Sequence, residues 1–378
     1  VGYTGCFCYV GITFQSTHKN VFSSHYTSKA STARRSGHAV LGIEAYIGNL
    51  PPKEGRLLYM ACIDPHLMSG ADVIIDVDDS ALAHLEKVQH AFLRRLLGLG
   101  AYSMRVPLFT ELGLIPVRYC RLILAMRYLA YLLRLTHAHY ARAALEDSYN
   151  LYLEGCSGYW MDLTYALQNL HSPVVLPLLP QLTADTCDVL GKKVYISAMK
   201  YLDAEVTKST RLYMLHGRLE PLDGEPAKKI TTVLRHYLEL VANAKHRKVL
   251  TCLLVSQHPL AVERMRYKSQ YRWVDIPRDQ RRCRFGCNEV ETVEHAMFFC
   301  HESHGLDTCR EFFVAAMGLT EPMVMSVSPW NATSVLKSLI FQRNTVCQVA
   351  KYAWKVFAIF DATPMVWPET EDIEGSNF

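Results

Sequence analysis

The stretch Cys283-Arg-Phe-Gly-Cys287-Asn-Glu-Val-Glu-Thr-Val-Glu-His295-Ala-Met-Phe-Phe-Cys300 spaces three cysteines and a histidine as C-x3-C-x7-H-x4-C. Two cysteines separated by three residues reach one metal from a tight turn, and the His and the last Cys close a tetrahedron from a short following helix. Zn²⁺ favours such a soft N/S shell, and four protein ligands leave no position for water, so the ion expected here is structural. The plainer alternative is a set of buried small apolar residues. Thr292 is placed to cap the short helix, with Glu294 in its electropositive first turn. His295 and Cys300 are five positions apart, so they meet one ion only if that helix ends or tightens near Cys300.

Working outward, residues 263–284 hold eight basic residues against three acidic ones, a net +5 in a chain whose total is +4. The candidate nucleic-acid contacts are Arg264, Arg266, Lys268, Arg272, Arg281, Arg282 and Arg284, with Arg278 in the same run. Tyr267, Tyr271, Trp273 and Phe285 interleave with them. Cations neutralise phosphates and aromatics stack on unpaired bases, so the combination suits RNA or single-stranded DNA. A solvated basic helix with its aromatics turned inward is the structural alternative.

The chain has 378 residues, half of them hydrophobic and a fifth charged. It is long enough to bury a large core in two or three lobes. The longest apolar run, residues 122–135, is interrupted by Arg127 and Arg134, so no membrane span or signal peptide is expected. Twelve cysteines without regular spacing point to a reducing, intracellular compartment, nuclear or cytoplasmic. The chain opens at Val1 inside a strand-like run, which reads as a fragment.

The expected fold is mainly α. Residues 8–15 read as one strand, and a polar helix follows over 16–49, closed by Pro51-Pro52. A helix over 56–63 is broken at Pro65. Leu82, Leu85, Val88, Phe92 and Leu96 mark one apolar helix face. Leu122, Met126, Leu129 and Leu133 mark another, and Leu124, Tyr128, Tyr131 and Leu135 give that helix a second apolar face, which predicts full burial. Pro173, Pro177, Pro180 and scattered glycines make 151–225 read as a connector. Periodicity returns over Ile230, Leu234, Tyr237, Leu238 and Val241, then over 250–254 and at Val346, Val349, Ala353 and Phe357. Residues 369–374 form an acidic tail.

Several blocks resemble one family. Tyr9-Val-Gly-Ile-Thr-Phe14 is similar to the strand that closes the palm of non-LTR retrotransposon reverse transcriptases. Gly55-Arg-Leu-Leu-Tyr59, Pro65-His-Leu-Met-Ser-Gly70, residues 85–99 and Glu111-Leu-Gly-Leu-Ile-Pro116 resemble the helical region after it. His258-Pro-Leu-Ala-Val-Glu-Arg-Met-Arg266 and the Cys3His run resemble the carboxy-terminal segment. The likeness spans most of residues 8–310, though C-x3-C departs from the commoner C-x2-C. It implies a palm-strand remnant over 1–16, a helical thumb-like bundle over 17–150, the connector, a basic helical segment with a small Cys3His zinc knuckle over 226–310, and a C-terminal helix and tail over 311–378. It further implies a thumb that holds a template–primer duplex.

Polymerisation in that family needs palm aspartates that grip two metal ions, and these precede the closing strand. Asp76-Val-Asp-Asp79 imitates the signature but lies after that strand, with no aromatic before it, and reads as a solvated loop with helix-capping Asp and Ser80. His301 and His304, and less so Cys309, are substitute zinc ligands, and His258 lacks a nucleophile partner. Residues 301–378 hold no endonuclease-like Pro-Asp and Asp/Glu-x-Lys set. No catalytic residue and no small-molecule substrate are therefore expected. The sequence reads as a truncated, zinc- and nucleic-acid-binding chain, with a zinc-stabilised protein–protein interaction module as the alternative.

Overall fold

The computed structural model describes residues 5–17, 19–222, 224–266 and 276–368. Among the described residues the fold is mainly helical with two small antiparallel hairpins. The chain divides into two compact units: residues 1–96, 105–208 and 231–234, and residues 97–104, 209–230 and 235–378. Among the described residues no helix is long and apolar enough to cross a membrane, and all twelve cysteines are free.

The first unit opens on a hairpin rather than the single strand expected: β1 (Cys6–Tyr9) pairs with β2 (Ile12–Gln15), Tyr9 opposite Ile12. The reversal falls at Val10 and Gly11, both at positive φ, which gives a two-residue turn matching the strand twist. Helix α1 (Ser23–Gly42) and the short α2 (Glu44–Ile47) follow. Pro52 does not end a helix but begins α3 (Pro52–Leu58), where a missing N–H costs nothing. Pro65 does not stop the chain's helical course either. A π-helical turn over Tyr59–Ile63 widens the backbone just before α4 (Asp64–Met68), which carries the proline in its first turn.

Helix α5 (Asp79–Leu97) buries the apolar face read from its periodicity. Asp78 caps it, its Oδ1 accepting from the Ser80 N–H at 2.9 Å. Asp76 is a correction to the solvated loop. Its side chain is buried, paired to Arg121 Nε at 2.8 Å and hydrogen-bonded by Tyr26. Helices α6 (Val106–Leu112) and α7 (Val117–Arg134) come next. The second apolar face of α7 is not buried: Leu124 and Tyr128 are only half covered and Tyr131 is exposed.

Residues 151–208 are no connector but part of the first unit's core. Helices α8 (Tyr140–Leu153) and α9 (Tyr159–Gln168) pack together, and α10 (Ala184–Lys208) lies along α7. Trp160, Leu163, Leu190 and Val194 join Leu122, Met126 and Leu129 in one apolar cluster. The three prolines sit in the segment between α9 and α10. They interrupt regular structure there without marking a domain boundary.

In the second unit, β3 (Glu220–Leu222) and β4 (Glu225–Lys228) form an irregular hairpin. The periodic run from Ile230 yields only α11 (His236–Leu240); Leu234, itself part of the first unit, bridges Leu112 within that unit. Helices α12 (Ala244–Leu254), α13 (Ala261–Arg264), α14 (His304–Met317) and α15 (Ala332–Ile340) precede α16 (Val346–Ala362). Far from being peripheral, α16 packs against α12, α14 and α15. Its Tyr352 stacks on Phe313 with ring centroids 4.2 Å apart.

Candidate metal centre

The knuckle is built in two pieces within the second unit. An isolated antiparallel bridge between Arg282 and Val290 closes its neck, and the Cys283 N–H donates to the Glu289 carbonyl at 2.8 Å. Between them the chain reverses through Gly286 and Asn288, both at positive φ, conformations that Gly and Asn adopt most readily. Cys283 and Cys287 thereby face one point. Thr292 caps the next turn, its Oγ1 accepting from the His295 N–H at 3.2 Å.

The helix ends at Cys300, as the spacing requires, and it does so by widening rather than tightening. Residues His295–Phe299 form a π-helical turn, closed by the Cys300 N–H donating to the His295 carbonyl at 2.9 Å. A π turn places residues five apart above one another, where an α turn would align four.

The ligand atoms of Cys283, Cys287, His295 and Cys300 all lie within 4.8 Å of one another and could hold a metal ion. Sγ of Cys300 is 3.7 Å from that of Cys283 and 4.0 Å from that of Cys287. Zn–S bonds of ~2.3 Å in a tetrahedron put sulfurs about 3.8 Å apart, so the spacing suits that ion. Cys287 Sγ and His295 Nε2 are 3.0 Å apart, which assigns Nε2 as the facing nitrogen. The Cys283–Cys300 contact draws the Cys300 thiol down against the effect of burial, with His295 helping. Cys283 is raised correspondingly by that same bond and by burial. Metal binding requires cysteines as thiolates, and the lowering of Cys300 runs in that direction.

The other candidates fall outside the cluster. His301 is exposed and its Nδ1 meets Asp307 at 2.9 Å; His304 is exposed at the start of α14, and Cys309 lies further along it. His258 is buried against Phe357, and burial drives its imidazole down to about 3.

The basic run divides. Arg284 is not a nucleic-acid contact: its side chain is buried and pairs with the buried Glu291 at 2.7 Å. It also donates to the carbonyls of Pro259, Thr363 and Phe360. Arg281 likewise turns inward, donating to the Val262 carbonyl at 2.7 Å and to that of Ile276 at 2.8 Å. Arg264, Arg278 and Arg282 are exposed, as is much of Arg266, which meets Glu263 at 3.3 Å. Tyr267, Lys268, Tyr271, Arg272 and Trp273 lie outside the described residues.

Sequence reading missed the Arg284–Glu291 pair, which ties the knuckle to the ends of α13 and α16. Glu291 Oε1 also accepts from the Ala261 N–H at 2.6 Å. Nothing in a basic run marks one arginine as internal. The knuckle is thus built into the second unit's core and is not a separate module. No family model, no curated protein and no solved structure matches the chain, so the likeness to reverse transcriptases rests on the quoted sequence blocks alone.

Proposed function

We propose that Cys283, Cys287, His295 and Cys300 hold one structural Zn²⁺, and that the chain binds RNA or single-stranded DNA through the basic run beside it. The observation that supports the first half is the near-tetrahedral sulfur spacing of a soft, closed donor set. The second half rests on the concentration of positive charge next to the knuckle. Arg264, Arg266 and Arg282 are the described side chains disposed to meet phosphates, with the aromatics of residues 267–273 as stacking partners.

On this reading the chain is a reverse-transcriptase-like region that holds nucleic acid. The ion would fix the loop and the π turn, while the Arg284–Glu291 pair fastens both to α16. The chain's own arginines would then face solvent in a fixed array. The first helical unit would meet a template–primer duplex through surface cations.

Purified chain should contain about one zinc and bind a single-stranded oligonucleotide with steep salt dependence. Four neutralised phosphates correspond to a slope of about −2.8 in log affinity against log salt. Binding unchanged from low to moderate salt would sink the nucleic-acid reading and leave the zinc site standing. A Cys300→Ser chain that still holds one zinc would sink the metal assignment.

A further inference from the structure

Beside the cluster, within the second unit, is a cavity of about 880 Å³ whose wall includes Cys287 and His295. Its charged lining is unequal. Glu289, Glu294 and Glu302 line it, together with Arg278 and His301. Tyr213 and Phe299 supply aromatic wall. Pro329 also lines it, and the next residue, Trp330, is 97% exposed.

Glu294 is held in place: it accepts from Thr333 Oγ1 at 2.7 Å and from the Tyr213 hydroxyl, with Lys337 nearby. Glu289 and Glu302 are exposed and make no ion pair among the described residues.

We propose that this cavity binds a basic side chain, arginine before lysine, presented by a segment of a partner protein. Two exposed carboxylates and one anchored carboxylate outnumber the cations of the lining, so a phosphate entering it meets repulsion and a cation attraction. Aromatic faces attract a desolvated cation as well. Arginine is favoured because its planar fork of five donors bridges more than one carboxylate and stacks on rings, whereas an ammonium is a point charge. The cavity therefore complements a ligand of opposite sign to the one proposed for the basic run, and the two readings stand or fall separately.

The test uses the full zinc-loaded chain and a fluorescein-labelled tetra-arginine peptide, followed by anisotropy at near-physiological ionic strength. Glu289→Gln and Glu302→Gln should each weaken binding several-fold, and Glu294→Gln about tenfold. Arg278→Ala should strengthen it, and a tetra-lysine peptide should bind more weakly. Glu54→Gln, in the first unit, should change nothing. Because Glu294 also holds Thr333 and Tyr213, the exposed Glu289 and Glu302 decide the outcome if its variant misfolds. Absence of peptide binding, or equal binding by the parent, Glu289→Gln and Glu302→Gln chains, overturns the proposal. So does competition by single-stranded RNA that Arg278→Ala abolishes, which would assign the cavity to nucleic acid.

Discussion

Arg284 shows how little a residue's type says about its task. In the sequence it is one of eight basic residues beside the knuckle, and charge alone assigns it to phosphate. The neck of the knuckle brings Glu291 against it, both side chains buried. A guanidinium taken out of water needs its donors satisfied, and here carboxylate oxygens and three backbone carbonyls do so. Arg284→Ala leaves a buried carboxylate unpaired and should cost about 3–5 kcal/mol, read by urea denaturation. Adding Glu291→Leu to Arg284→Met should recover most of that loss, because an apolar pair removes both charges together. If the single variant is as stable as the parent, the pair does not clamp the knuckle. The clustering of Cys283, Cys287, His295 and Cys300, by contrast, was legible, because soft-metal chemistry restricts residue type and spacing at once.

At the level of elements, local rules succeeded where one physical demand dominates. The apolar face of α5 and that of α16 were read from periodicity because both helices bury a single stripe. Reading failed where the backbone departs from the α-helical period. Five-residue spacing between His295 and Cys300 implied a helix that ends or tightens near Cys300; the helix does end there, but through a π turn rather than a tightened one. Pro65 implied a break, and a second π turn carries the helix through. Gly113 is the most demanding position of this kind. It ends α6 at φ +66, and an added Cβ would lie 2.6 Å from the Leu234 backbone nitrogen. Backbone on both sides has no room to yield, so Gly113→Ala should destabilise the first unit by about 3 kcal/mol. Differential scanning of the variant checks this, and an unchanged midpoint would mean that the Leu112–Leu234 bridge is not formed.

For the whole molecule, acid should be the sensitive direction. Burial, with Arg105 and Arg94 adding to it, holds His90 down at about 4, and burial holds His258 at about 3. Both bind fewer protons folded than unfolded, so stability is greatest above pH 6.5 and falls as pH drops toward 4. Glu220 acts in the same sense. Burial would raise it, but the His236 and Arg235 contacts hold it at about 2, so its contribution is lost between pH 4.5 and 2. Denaturation midpoints measured from pH 7.5 to 4 should fall steadily, and His258→Leu should make the fall shallower. A flat profile would contradict buried neutral imidazoles. Metal removal should reach beyond the knuckle, because Arg284 joins it to the end of α16. Chelation should raise amide exchange at residues 357–363 as well as at 283–300, read by mass spectrometry. Exchange confined to 283–300 would show the loop to be energetically separate.

The sequence by itself determined the helical class, the main buried stripes and the Cys3His cluster, because each follows from short-range periodicity or from metal-ligand chemistry that tolerates few substitutes. Only the tertiary structure decided that residues 151–208 belong to the first unit's core, that Asp76 and Arg284 are internal, and that α16 is central to the second unit. Those outcomes depend on partners distant in sequence, Asp76 with Arg121 and Arg284 with the end of α16. Whether a charge or a proline-rich stretch is buried depends on what packs against it.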